Sequence, residues 1–242
     1  MLEQRRSNLE HCKNMRNNFH NVNKLTLFVK YIRIINWDAL HFNMVESITI
    51  FCSSSDAIDE KYFKVAEKMG KLIIKEKINL VYGGSAVGLM GRLAKTVLEH
   101  GGHVIGVIPK KISQRVPHLE HYHELIVTDT MRERKAVMES RADAFVALPG
   151  GFGTLEELIE IITLKQLQYH HKPVVILNSF GCFNHLLDHF EFLFQNSFAK
   201  SQYRALYHVA ETPEAVFDYL NQYFPTEFES KWYLTKDGFE SS

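Results

Sequence analysis

The sequence predicts an α/β fold: a doubly wound, Rossmann-like parallel sheet with helices on both faces. Three observations predict it. Short β-rich runs alternate with amphipathic helical stretches from Ser47 onward. Most of those runs are near-continuously apolar, the mark of strands covered on both faces. And 242 residues, 45% hydrophobic and 23% charged, are enough to bury the core that such a sheet needs.

In chain order, strands are expected at Ser47–Cys52, Asn79–Tyr82, His103–Ile108, Ala144–Leu148 and Val174–Leu177, runs rich in β-branched and apolar residues. Weaker strand signals lie at His121–Thr128 and Tyr207–Ala210. Between them, apolar residues recur at helical spacing over Asp59–Glu76, Gly88–His100, Thr130–Arg141, Thr154–Tyr169, Phe183–Gln195 and Pro213–Tyr223. Residues 44–223 are therefore read as the folded domain. Residues 1–43 differ: seven Lys or Arg stand against three acids, with no Gly, no Pro and no sustained periodicity. A basic arm that touches a partner, a poorly ordered extension, and residues upstream of a start at Met44 are the three readings; the last two are preferred. The tail, 224–242, carries Pro225 and several aromatics and says little.

Composition excludes whole classes. Lys plus Arg and Asp plus Glu are both 28, so the footprint of a nucleic-acid binder is missing and no such partner is expected. Cys12, Cys52 and Cys182 lie far apart with no CxxC, which argues against a disulfide framework or zinc ribbon and for a reducing, cytoplasmic setting. The longest apolar candidate, Leu25 to Ile35, is broken by Lys30 and Arg33, so neither a membrane span nor a signal peptide is expected. His118, His121 and His123 lack the carboxylates of a zinc site and read as a solvated loop. His170 and His171 precede Pro173 at a helix end, where imidazolium suits the dipole. Cys52 reads as a buried structural thiol. No metal or organic cofactor is expected.

Chemistry concentrates in loops at the carboxyl ends of the strands, where doubly wound sheets bind ligands. Tyr82-Gly83-Gly84-Ser85-Ala86-Val87-Gly88-Leu89-Met90-Gly91 joins a strand to a helix, and glycine there lets backbone N–H groups approach a ligand. It is neither a Walker A loop nor a dinucleotide fingerprint, and a tight β–α turn explains it equally well. Leu148-Pro149-Gly150-Gly151-Phe152-Gly153-Thr154-Leu155-Glu156-Glu157 is the stronger signal: three glycines and a Thr hydroxyl at a helix start cradle a phosphate monoester. Thr154-x-x-Glu157 is also a capping box, so a purely structural role for Glu157 stays open. Met131-Arg132-Glu133-Arg134-Lys135 places three cations at a helix N-terminus against the macrodipole. An anionic ligand in the adjacent loop would justify them; a solvated charged face is the alternative.

Met131-x-x-Arg134-Lys135 followed by Pro149-Gly150-Gly151-x-Gly153-Thr154-x-x-Glu157 resembles the paired signature of the LONELY GUY (LOG) family, cytokinin riboside 5′-monophosphate phosphoribohydrolases often labelled possible lysine decarboxylases. The likeness runs from about Ile48 to Tyr223 through Gly83–Gly91, His103–Lys110 and Lys172–Asn178. It implies hydrolysis of a purine riboside 5′-monophosphate, with Arg134 and Glu157 in the catalytic positions. Lys135, the loop Gly151, Phe152, Gly153, Thr154, Leu155 and Glu156, and Thr163 take nucleotide-contacting ones; Gly83, Gly84, Met131 and Gly150 join the substrate-binding set. It also implies a homodimer or higher homo-oligomer joined near the Glu157 helix. The sequence departs from the pattern at Ser53, Ser85, Arg132 and Val116, where the family has Gly, Gly, often His and in some members a glutamate. Within the Glu157 helix, Leu155, Leu158, Ile159 and Ile162 form the stripe expected to pack on the sheet, leaving Ile161 and Leu164 to another surface. A nucleotide-binding or carrier module without turnover is the alternative reading.

Overall fold

The structure is a computed structural model that describes residues 45–117, 119 and 122–226. The N-terminal extension with Cys12, the residues His118 and His121, and the tail from 227 onward lie outside the described residues.

Among those residues the strands are β1 (Ser47–Phe51), β2 (Asn79–Tyr82), β3 (Val104–Pro109), β4 (Glu124–Thr128), β5 (Ala144–Ala147), β6 (Val174–Leu177) and β7 (His208–Ala210). They form one sheet in the order β4-β3-β2-β1-β5-β6-β7, and every neighbouring pair is parallel. The expected doubly wound architecture is present, both weak strands included. The helices are α1 (Glu60–Glu76), α2 (Gly88–Glu99), α3 (Lys110–Ser113), α4 (Met131–Ser140), α5 (Phe152–Gln166), α6 (Asn184–Gln195) and α7 (Pro213–Leu220). Short α3 carries no apolar repeat and left no signal in the sequence.

Alternation along the strands splits the core in two. Ile48, Ile50, Leu80, Tyr82, Val146 and Val175 face α1, α2 and α7, whose Phe63, Met69, Leu93 and Phe217 cover them. Phe51, Val81, Val107, Phe145 and Ile176 face the other way, under Met138 of α4, Leu158 and Ile161 of α5, and Phe190 and Phe194 of α6. Helices on both faces are thus why the strands are apolar on both sides.

The strand order reverses between β1 and β5, so the crevice falls at their carboxyl ends. Leu148 N–H donates to the Phe51 carbonyl (2.9 Å) and Ser53 N–H to the Pro149 carbonyl (3.2 Å), which pins the β1 and β5 loops together at that point. Helix α5 starts there.

Two helix expectations need correction. Helix α5 starts at Phe152, with Gly151 as its N-cap and no side-chain cap, so Thr154 sits inside the first turn and the capping-box reading of Thr154 and Glu157 fails. The box instead occurs on α4: Thr130 Oγ1 accepts Glu133 N–H (3.1 Å), and the Glu133 carboxylate accepts Asp129 N–H (2.9 Å). The buried stripe of α5 is Thr154, Glu157, Leu158, Ile161 and Lys165, whereas Ile159 is exposed. The helix is turned so that its polar Glu157 faces inward. That orientation is set by a partner charge, to which apolar periodicity is blind.

Candidate active site

Helix α4 carries its three cations to three different places. Arg132 is exposed. Arg134, one position past a full turn from the Thr130 cap, points inward and is 6% exposed. Its Nε donates to the Val107 carbonyl of β3 (3.1 Å), and its Nη1 lies 3.0 Å from Oε1 of Glu157, itself 5% exposed. Lys135 turns towards α5, ion-paired with Glu156 and with Glu160 (2.8 Å). Two consecutive cations on α4 thus bind acids on α5, and the inner pair is shut away from water.

Burial pushes the Glu157 carboxyl above its ordinary pKa, and the Arg134 charge opposes that rise. A buried carboxyl whose pKa is raised by burial and opposed by the neighbouring Arg134 and Lys135 charges is suited to acting on developing positive charge. Burial also works against the Lys135 ammonium, but hydrogen bonds to Glu156 and Glu160 outweigh it and hold its pKa up. Cys52, fully buried at the end of β1, has its thiol pushed far up by burial and by the charge of Glu157, with Arg134 opposing. It is a neutral floor and no nucleophile.

The glycine loop lies alongside. The first-turn N–H groups of α5 have no intrahelical acceptors and point out of its N-terminus, and Gly151, Phe152 and Gly153 there are exposed. Thr154 is buried, its hydroxyl against Gly150; a Cβ on Gly150 would stand 2.1 Å from Thr154 Oγ1. Cys182, missed in the sequence because it lies 32 positions downstream, has its sulfur on the Gly150 N–H. Gly83 packs against the guanidinium of Arg134, where a Cβ would stand 2.2 Å from Nη2. Gly84 next to it has φ +75 and makes the turn.

Gly83, Arg134, Glu157 and the Gly150–Thr154 loop therefore converge. Met131 stands exposed at the start of α4, and Leu155 packs partly on the core. Phe152 is 93% exposed beside the loop. Thr163 does not join them: it is exposed on α5, about 9 Å along the axis beyond Glu157, its hydroxyl on the Ile159 carbonyl (2.7 Å). His170 corrects another expectation. Helix α5 ends at Gln166, and His170 lies beyond it, buried, with Nε2 on the Ile161 carbonyl (2.9 Å) and burial driving its pKa down to about 4. A neutral ring does nothing for the helix dipole.

Residues 90–220 match the family described as "Possible lysine decarboxylase". "Cytokinin riboside 5'-monophosphate phosphoribohydrolase LOG5" of Arabidopsis thaliana is 38% identical over 193 residues, 78% of this chain and 85% of that protein. The Arabidopsis relative named LOG2 is 40% identical over 196 residues, 79% of this chain and 92% of that protein. The chain belongs to the LOG family. Among solved structures, the molybdenum cofactor carrier protein of Chlamydomonas reinhardtii superposes with TM-score 0.56 at 23% identity, covering 73% of this chain and 96% of that one. The molybdenum cofactor binding protein of Rippkaea orientalis gives 0.55 at 25% identity, over 71% and 93%. These likenesses show a shared fold.

Two of the departures from the LOG pattern, Ser53 and Ser85, have local explanations; nothing in the structure explains Arg132 or Val116. Ser53 Oγ accepts Ser55 N–H (3.1 Å) and Ser85 Oγ accepts Val87 N–H (3.3 Å), so each serine that replaces a glycine fastens its own loop two residues on. Neither side chain obstructs the Arg134–Glu157 pair.

Among the described residues no group of three or more His, Cys, Asp or Glu could hold a metal ion, and no helix is long and apolar enough to cross a membrane.

Proposed function

We propose that this protein hydrolyses the N-glycosidic bond of a purine riboside 5′-monophosphate, with an N6-modified adenine as the base; its LOG relatives are named cytokinin riboside 5′-monophosphate phosphoribohydrolases. The products are the free base and ribose 5-phosphate. The observation that carries the reading is the buried Arg134–Glu157 pair, 3.0 Å apart, beside the uncapped N-terminus of α5.

The 5′-phosphate sits on the N–H groups of Gly151–Thr154, where the helix N-terminus favours an anion. That anchoring positions the reacting bond, so binding energy far from C1′ serves the chemistry. As the C1′–N bond breaks, positive charge develops on the ribose. The Glu157 carboxylate stabilises that charge and directs water to C1′; the electron pair of the broken bond leaves with the base, which takes up the proton that the water loses. Arg134, its planar fork fixed by Val107, clamps the ribose or phosphate and opposes the rise in the Glu157 pKa that burial causes.

Two other readings fare worse. A carrier with this fold needs the glycine loop but has no use for a buried, tuned acid beside it. A pyridoxal-phosphate decarboxylase, the chemistry in the family description, needs a Schiff-base lysine at the site. Lys135 is committed to Glu156 and Glu160, and buried Lys165 lies about 12 Å along α5 from Glu157. The residues do not fit that group.

The reading includes a cytoplasmic homodimer. The exposed side of α5 presents Ile159 together with Thr163, and in this reading Thr163 serves the site of a second subunit. The activity is tested with AMP, GMP, CMP and N6-isopentenyl-AMP, with released base measured by chromatography. Equal amounts of base and ribose 5-phosphate from the adenine nucleotides support it, and no release from any of the four overturns it.

A further inference from the structure

We infer that Gly83 is a positioning residue for Arg134: it is glycine so that the guanidinium can reach its working place, and not to let a ligand or a turn approach. The inference rests on the catalytic reading of the Arg134–Glu157 pair. Gly83 and Gly84 are adjacent, yet only Gly84 has the positive φ, +75, that side chains avoid. Gly83 lies outside that region, so its backbone would accept any residue. What forbids a side chain is space. A Cβ at 83 would stand 2.2 Å from Nη2 and 3.4 Å from Cζ of Arg134, and 3.0 Å from Sδ of Met90.

The guanidinium is thereby defined on three edges. Nε donates to the Val107 carbonyl (3.1 Å), Nη1 faces Glu157 (3.0 Å), and Nη2 lies flat against Gly83. Strand β3 supplies the first, α5 the second and the β2–α2 turn the third. A methyl at 83 pushes Nη2 away by roughly 1 Å to reach ordinary contact distance, and one edge cannot move while the planar fork keeps the other two. Since the clash falls on the mobile end of a side chain, the fold gives way easily and the geometry of the pair does not survive. Misplacement of a catalytic group by about 1 Å is worth about 100-fold in rate.

The test is Gly83→Ala, with AMP as probe. kcat/KM falls about 100-fold, the unfolding midpoint stays within a few degrees of the parent, and the acid limb of the pH profile moves up. The limb moves because Arg134 no longer offsets the burial of Glu157. Titration of the Glu157 carboxyl carbon in 13C-glutamate-labelled protein reads that same upward shift without turnover, so it decides on Gly83 even if AMP is not the substrate. Arg134→Lys, which has no Nη2, removes the clash: in that background Gly83→Ala costs little further, so the two changes are not additive. Gly101→Ala is the contrast: at φ +76 and with no neighbour within 4 Å of the added Cβ, it lowers the unfolding midpoint while leaving the limb in place. An unfolded Gly83→Ala protein, unchanged kcat/KM, or a loss of activity with Glu157 titrating as in the parent would each overturn the inference.

Discussion

Glu157 is the residue on which burial and charge disagree most, and the disagreement is useful. Desolvation raises its pKa while Arg134 lowers it, so activity fades on the acid side at a pH above the ordinary carboxylate range. Arg134→Ala removes the buried cation paired with it; the expected cost is about 3–5 kcal/mol of stability, with base release abolished, measured by denaturant unfolding and by chromatography. Lys165 is a second buried charge with a different fate. It is 2% exposed, its Nζ has no hydrogen-bond partner among the described residues, and it lies over the Tyr223 ring, 5.0 Å from the ring centroid. Burial lowers its pKa to about 8 from 10.5. The folded state therefore binds this proton more weakly than the unfolded one, and the penalty is complete below pH 8. It shrinks as pH rises through that value and is gone above the unfolded pKa. Lys165→Met, a near-isosteric apolar change, is expected to raise stability at neutral pH by about 2–3 kcal/mol and to flatten the rise of stability across that window, as urea denaturation at several pH values reads. An unchanged midpoint and slope would show that the ammonium is paired.

At the scale of elements, the proposed function makes the β5–α5 junction join a phosphate cradle to a catalytic acid. In the proposed reading the N–H groups of Gly151–Thr154 hold the 5′-phosphate, and a nucleoside without it leaves them with water only. Adenosine is therefore expected to be hydrolysed at least about 100-fold less well than AMP, given about 1–3 kcal/mol for each unmet donor; equal rates on the two would remove the loop from the account. The glycine cluster and the paired motif were legible because they are contiguous. The orientation of α5 was not. Apolar spacing put Leu155, Leu158, Ile159 and Ile162 inward; Leu158 is buried and Leu155 and Ile162 pack against the core, but Ile159 is exposed and the helix also buries Thr154, Glu157, Ile161 and Lys165, since Arg134 on a separate helix holds Glu157 in the interior. Ile159, 39% exposed, becomes the apolar residue in need of a partner. Ile159→Asp is expected to lower both the mass seen by light scattering and the rate of base release. A dimer of undiminished mass in that variant would place the contact elsewhere.

For the whole molecule, runs of apolar residues were enough to specify the sheet, because a strand buried on both faces has few other compositions open to it. Strand order is not in any one run; it follows from the crossovers, and it places the switch point between β1 and β5. That is why residues as distant as Cys52, Gly83, Arg134 and Glu157 meet. The Val107 carbonyl and the sulfur of Cys182 also serve the site, yet neither carries a sequence signal: one is backbone, the other a lone thiol far along the chain. The central claim is that Glu157 does chemistry and not merely structure, and Glu157→Gln tests it most directly. The amide keeps the shape and can still accept from Arg134, so the variant is expected to fold, losing about 1–3 kcal/mol of stability, and to bind AMP. Its release of adenine and ribose 5-phosphate, followed by chromatography against the parent enzyme, is predicted to fall at least about 100-fold. Turnover close to the parent's in a folded, AMP-binding Glu157→Gln protein would contradict the account.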